Sequence, residues 1–378
     1  MNINIIILFC LINLNICSNS YETAPPKNLK NIKNIYTSSF NINLLKPVIT
    51  HSNVYYIADR ILQAFNYAKL DKKFKLPIAK PVKPYGNSFI NPLLQDSAVT
   101  HFFAFFFNKD CTLRLYIEDD KHVEKACEDL KFEMNFNKLE NNDNCYDSLR
   151  IYYDHATYYM AVYNTNSNKI IVFDLYDAYM NNNKESVIEA QMKGKIKQAF
   201  IYSRGETNKW ESVLIGIDEY GQVNFWNLKN YCNFISSMWN YAFNDNLIKS
   251  FETQKFYPFP NQDIASFIKK KTILYINNDN FHLYDLDKLA HINSQNNLIT
   301  DVSALLGLKD GNALVGTTNG YLYLITLEDN SITILDKIQL CDDRIYFLSS
   351  VENCKGGTNL CYRIAANCKK LKIFEIKA

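Results

Sequence analysis

"VNFWNL", residues 223–228, is a short apolar run that ends on an aromatic residue, a small polar residue and leucine. Whether such a run stands alone or recurs decides the fold, so internal repetition is the first thing to test. Aligned on the aromatic position, the chain gives ILQAFNY around Phe65, LRLYIE around Tyr116, IIVFDL around Phe173, VNFWNL around Trp226, FHLYDL around Tyr284, LYLITL around Ile325 and LKIFEI around Phe374. These anchors are spaced by 51, 57, 53, 58, 41 and 49 residues. That period suits units of four strands with loops of varying length.

The flanking sequence supports the repeat. Each anchor run follows a polar turn, and an apolar run precedes that turn: VYYIAD before ILQAFNY, SVLIGI before VNFWNL, NALVGT before LYLITL. The turns NTNSN (164–168), DEYG (218–221), NND (277–279) and TTNG (317–320) are rich in turn formers, with Gly221 and Gly320 placed where a positive φ is needed. Near-continuous apolar runs are what strands buried on both faces require. The pattern resembles the WD40-like propeller superfamily, in which the third strand of each blade ends in an aromatic–Asp dipeptide. Phe173-Asp174, Trp226-Asn227, Tyr284-Asp285 and Phe374-Glu375 occupy that place, while the family's Gly-His dipeptide is absent. The resemblance implies an all-β fold: a seven-bladed β-propeller of four-stranded antiparallel blades over residues 21–378, closed by pairing of N- and C-terminal strands. The last anchor run ends the chain, which leaves the seventh blade without an outer strand. The run Ile32–Ser38 is expected to supply it, with Leu44–Thr50 as the inner strand of the first blade.

Two segments interrupt the period. Residues 69–97, rich in Lys and Pro, read as a long loop. Residues 119–147 begin DDKHVEKACEDLKFEMNF and read as a helix-containing insert pinned by Cys127 and Cys145.

Composition bounds the partners. With 41 Lys and Arg against 39 Asp and Glu, the chain has no global bias towards nucleic acid or an acidic membrane surface. Residues 1–20 read as a signal peptide: Ile5–Ile12 form a short apolar core, and Ser18-Asn19-Ser20 offer small residues for cleavage. The stretch is too short and polar for a comfortable membrane span. This directs the mature chain to the secretory pathway, as a secreted, cell-surface or secretory-organelle protein. Eight cysteines then remain (Cys111, Cys127, Cys145, Cys232, Cys341, Cys354, Cys361 and Cys368), an even set that favours disulfide bonds. Cys127–Cys145 and Cys354 with either Cys361 or Cys368 are the preferred local pairings. No Asn-x-Ser/Thr sequon occurs. The excess of Asn, Lys and Ile resembles proteins of malaria parasites, among them the secreted ookinete proteins and the cysteine-rich invasion antigens.

A propeller hosts enzymes and binding platforms alike, so function must be argued from a site. The chain has no G-x-S-x-G, Walker-type or H-E-x-x-H motif. Its His residues, at 51, 101, 122, 155, 282 and 291, are scattered, and no C-x-x-C pair occurs, so neither a metal site nor a cofactor is expected. Asp154-His155 reads as a loop with a solvated His. Glu118-Asp119-Asp120 and Lys269–Lys271 read as solvated charge runs, and Ser203–Trp210 resembles a sialidase Asp-box only remotely, with Gly205 at the Asp position. The expectation is a non-enzymatic protein-interaction module, monomeric or part of a hetero-complex, acting in host or vector cell contact. The alternative is a secreted hydrolase or lyase with its site at the central channel.

Overall fold

The computed structural model describes most of the chain between Asn28 and Lys377. Residues 1–27 lie outside the described residues, as do, among others, 67–79, 93–99, 120–129, 136–147, 175–185, 229–246, 253–264 and 353–360. Side-chain surroundings are described mainly for 28–56, 159–201, 212–228 and 272–377; elsewhere the strands are described by their backbone pairing.

Strand β1 (Lys33–Asn41) comes first. Sheet one then comprises β2 (Val48–Ile49), β3 (Asn53–Ala58), β4 (Ile61–Asn66) and β5 (Lys80–Pro84). Sheet two comprises β6 (Ser88–Pro92), β7 (Thr100–Phe107), β8 (Thr112–Asp119) and β9 (Leu130–Asn135). Sheet three holds β10 (Ser148–Asp154), β11 (Thr157–Tyr163), β12 (Lys169–Asp174) and β13 (Ser186–Gln191). Sheet four holds β14 (Ile196–Glu206), β15 (Lys209–Asp218), β16 (Gln222–Leu228) and β17 (Leu247–Glu252). Sheet five holds β18 (Ala265–Lys269), β19 (Thr272–Asn277), β20 (Asn280–Asp285) and β21 (Ala290–Asn296). Sheet six holds β22 (Val302–Gly307), β23 (Asn312–Thr317), β24 (Tyr321–Glu328) and β25 (Ser331–Gln339). Sheet seven runs β26 (Phe347–Glu352), β27 (Cys361–Cys368), β28 (Lys370–Lys377) and then β1, which pairs antiparallel with β28.

Every anchor residue lies on the third strand of its sheet, and each is the fifth residue of that strand. Phe65, Phe173, Trp226, Tyr284, Ile325 and Phe374 are all buried. In sheets two to seven a β-bulge falls at the anchor, where the fourth strand carries one extra residue: Val187 opposite Val172/Phe173, Ile292 opposite Leu283/Tyr284, and Leu335 opposite Leu324/Ile325. A bulge bends the strand and steepens its twist.

Where side chains are described, the fourth strands are the least buried. The middle strands are closed on both faces: β23 is buried at every position and β12 at all but its first. The fourth strands β13, β21 and β25 alternate or are mostly exposed, because they lie at the free edge. The core is a series of apolar clusters between successive sheets. Tyr159 and Val172 of sheet three meet Leu214 and Trp226 of sheet four; Phe200 and Phe225 of sheet four meet Tyr275 and Tyr284 of sheet five. Leu274 and Phe281 meet Val315 and Ile325, and Leu314 and Leu324 of sheet six meet Ile364 and Phe374 of sheet seven. Ala365 and Ile373 of sheet seven meet Val54 and Phe65 of sheet one. First strands adjoin one another as well: β2 touches β6, β6 touches β10, β10 touches β14, β18 touches β22, β22 touches β26, and β26 touches β2.

Three sequence expectations need correction. Residues 69–97 are not one long loop, since β5 and β6 lie within them. The segment 80–84 reads KPVKP, and its prolines are tolerated because β5 is an edge strand that needs no second row of N–H donors. Residues 119–147 are not wholly an insert, since they contain β9, the fourth strand of sheet two; the helix-like start at 120–129 lies outside the described residues. Cys368 does not pair locally: it is bonded to Cys341, and Cys361 is a free thiol. Cys111, Cys127, Cys145, Cys232 and Cys354 lie outside the described residues, as does the leader at 1–20. Among the described residues, no helix is long and apolar enough to cross a membrane.

Candidate interaction face

Two kinds of connection share one end of the strands. Central turns join second to third strands within a sheet, and entry loops join the fourth strand of one sheet to the first strand of the next. The central turns are tight. Gly221 (φ 78°) and Gly320 (φ 80°) take the left-handed region, and Asp279 (61°) and Lys369 (63°) occupy it in the corresponding turns of sheets five and seven. At Gly320 the space is as restrictive as the dihedral, because an added Cβ would lie 2.0 Å from the Cys341 carbonyl oxygen.

The entry loops are bonded to the central turns on both sides. In the loop between sheets three and four, the Met192 and Ile196 N–H groups donate to the Asn168 and Ser167 carbonyls of one turn. Gly194 N–H donates to Asp218 Oδ2 of the next turn at 2.9 Å, and Glu219 N–H donates to the Lys195 carbonyl. Asp218 also accepts from Tyr220 and Gln222 N–H, each at 2.9 Å, so one carboxylate shapes the turn and holds the loop. Between sheets five and six, Asp279 accepts from Asp301 and Val302 N–H at 3.1 Å each, and Thr318 N–H donates to the Asp301 carbonyl. Between sheets six and seven, Leu340 and Cys341 N–H donate to Gly320 O, Ile345 N–H to Thr317 O, and Tyr346 N–H to Asn367 O. Satisfied backbone groups at this density leave the loops little freedom to move.

The disulfide lies on the same face. Cys341 in the entry loop and Cys368 at the end of β27 are bonded with Cα atoms 6.3 Å apart, and both sit in the apolar cluster between sheets six and seven. Above them Lys369 pairs with Asp343, and the ammonium holds the Asp343 carboxyl below its usual range. The Arg344 guanidinium lies 5.2 Å from the centre of the Tyr346 ring. Tyr220, 48% exposed, is the most exposed large apolar side chain described, and its ring covers Gly194, where an added Cβ would come within 2.5 Å. Backbone bonding, a crosslink and a presented aromatic together make a pre-formed surface.

The structure does not converge the charged residues singled out by the sequence. Asp154 ends β10 in sheet three, Glu118 and Asp119 end β8 in sheet two, and Lys269 ends β18 in sheet five; His155, Asp120, Lys270 and Lys271 lie outside the described residues. Ser203–Glu206 and Lys209–Trp210 are parts of the long β14–β15 hairpin. The Arg363–Glu375 pair, 3.4 Å apart, links β27 to β28, and burial with the Glu375 carboxylate beside it pushes the Cys361 thiol up to about 12. No group of three or more His, Cys, Asp or Glu side chains is placed to hold a metal ion among the described residues. The sequence analysis missed the loop-to-turn bonding, although Asp218 and Asp279, each at the turn that follows an apolar second strand, were signals for it.

No family model and no curated protein matches the chain. Solved structures do. A chain in the crystal structure of the mitotic checkpoint complex is similar over 95% of this chain and 97% of its own length, with a TM-score of 0.57 and 9% identity. The WD40 β-propeller domain of Doa1 is similar over 92% of this chain and 97% of its own length, with a TM-score of 0.56 and 11% identity. At such identities the likeness is one of fold: the chain is all-β, with a β-propeller fold like that of the WD40 domain of Doa1.

Proposed function

We propose that this WD40-like propeller is a non-enzymatic interaction module, whose seven sheets are the blades of one ring with β1 completing the last blade. It binds a protein partner across the face built from central turns and entry loops. The observation that carries this reading is the stitching of that face: the three entry loops described in full are each hydrogen-bonded to two successive central turns. A surface ordered before binding costs less to engage than one that must be ordered on contact. Tyr220 supplies an exposed aromatic of the kind that anchors partners.

The proposal extends to compartment. Persistent disulfides belong to oxidising environments, and the Cys341–Cys368 bond together with the apolar leader supports passage through the secretory pathway. The compositional resemblance to malaria-parasite proteins extends it further, to a role at the surface or in a secretory organelle during host or vector cell contact.

The test is partner capture followed by mapping. The tagged full chain is crosslinked in its native cells, and the partner found by mass spectrometry is then produced and its affinity measured. Tyr220→Ala and Asp342→Arg, both on the proposed face, should weaken binding by at least about 10-fold, while Lys288→Glu at the other end of the strands should leave it unchanged. The reverse ranking, or equal binding by all three variants, refutes the assignment of the face.

A further inference from the structure

His282 and His291, read in the sequence as scattered, meet on one side of sheet five. His282 is the third residue of β20, and Ser294 lies directly opposite it on β21. His291 is three residues before Ser294, a separation that in a regular strand puts two side chains on opposite faces. The bulge cancels this: Leu283 pairs with Asn293 and Tyr284 with His291, so Ile292 is the extra residue and His291 returns to the face of Ser294. As a result His282 Nδ1 and His291 Nε2 each lie 2.8 Å from the same atom, Ser294 Oγ.

One hydroxyl carries one proton, so it can donate to only one of the two imidazoles. The other must present an N–H to the oxygen. Both rings are braced by aromatics: His282 stacks on Tyr275 at 5.6 Å, and His291 meets the edge of Tyr284 at 5.3 Å. His291 and Ser294 are exposed, so the cluster is reached from solvent.

We propose that His282, His291 and Ser294 form a binding site for a borderline divalent cation of the Zn²⁺ type. Two imidazole nitrogens that converge on one hydroxyl are donors of the type such ions select, at about 2.0–2.1 Å from each nitrogen. Binding needs His282 as the Nε2–H tautomer and His291 as the Nδ1–H tautomer, with the ion between the two rings, whose centroids are 6.0 Å apart. The hydroxyl then becomes a third donor through its lone pair. Remaining positions are open to water or to a donor from another molecule, unlike a closed structural site.

The experiment titrates Zn²⁺ alone into the metal-free full chain by calorimetry. Co²⁺ absorption then reports the coordination geometry. The expected result is one equivalent bound and a Co²⁺ spectrum of tetrahedral type. His291→Ala, at an exposed position with little bearing on folding, should remove this equivalent or weaken it by at least about 10-fold, the loss that even an outer-shell substitution brings. Ser294→Ala should retain binding with reduced affinity. An isotherm unchanged by His291→Ala, or no saturable binding by the wild-type chain at millimolar Zn²⁺, overturns the proposal.

Discussion

Replacing Cys341 and Cys368 together by alanine should lower the stability of the domain by an amount set by chain entropy. The bond closes a loop of 27 residues that contains β26 and β27. In the loop-closure description, a crosslink of that span removes about 12 cal/mol/K from the unfolded chain, or about 3.5 kcal/mol at room temperature. Unfolding entropy scales with chain length, so for a chain of this size the loss corresponds to a fall in melting temperature of about 4–5 °C. Both sulfurs are also buried between sheets six and seven, so alanine leaves small voids there. Wild-type protein in which peptide analysis shows the 341–368 bond alone to be reduced separates the two effects, because it keeps the sulfurs and loses the crosslink. The assay is thermal and urea unfolding of oxidised, reduced and doubly substituted chains, with intact-mass and peptide analysis establishing which thiols are bonded. Reduced wild type should lie between the other two. A doubly substituted protein that melts within a degree of an oxidised protein shown to carry the 341–368 bond would refute the reasoning.

Further outcomes follow from single positions. Gly320→Ala should cost at least about 1–2 kcal/mol by urea unfolding, since any other residue pays for the left-handed conformation and its Cβ strikes a backbone carbonyl. Cys361 should react with iodoacetamide at pH 8 orders of magnitude more slowly in the folded protein than in urea, because its folded thiol is raised to about 12. Its sign for stability is set by the same shift: the contribution is complete below the unfolded value, about 8.5, and is lost as pH rises from there towards the folded value. A Cys361→Ala chain should therefore lose less stability than wild type between pH 8.5 and 11. Deleting residues 28–41 removes β1, with buried Leu29 and Ser38, and strips β28 of its partner strand. Loss of the cooperative melt is expected, and an unchanged melting curve counts against β1 as a structural strand.

The period, the position of the third strand in each sheet and the tight central turns could be read from the sequence. These are local properties. A third strand is buried on both faces, so its apolar run and the anchor at its fifth residue survive as a pattern, and a turn that needs positive φ selects Gly221 and Gly320. The run at 32–38 was legible because the repeat leaves the last unit one strand short, and its partner, β28, follows from that count although β1 is mostly exposed. The other fourth strands were not legible. At a free edge, half of their surface is wet and proline is tolerated wherever its nitrogen faces away from the sheet, so KPVKP at 80–84 read as loop and LKFEMN at 130–135 as part of an insert. Only the tertiary structure decided the contacts between units: Asp218 and Asp279 holding entry loops, Cys341 meeting Cys368 across two sheets, and a bulge turning His291 towards His282 and Ser294. Such contacts depend on how sheets pack and where a strand carries an extra residue, and no local pattern of residue types encodes that.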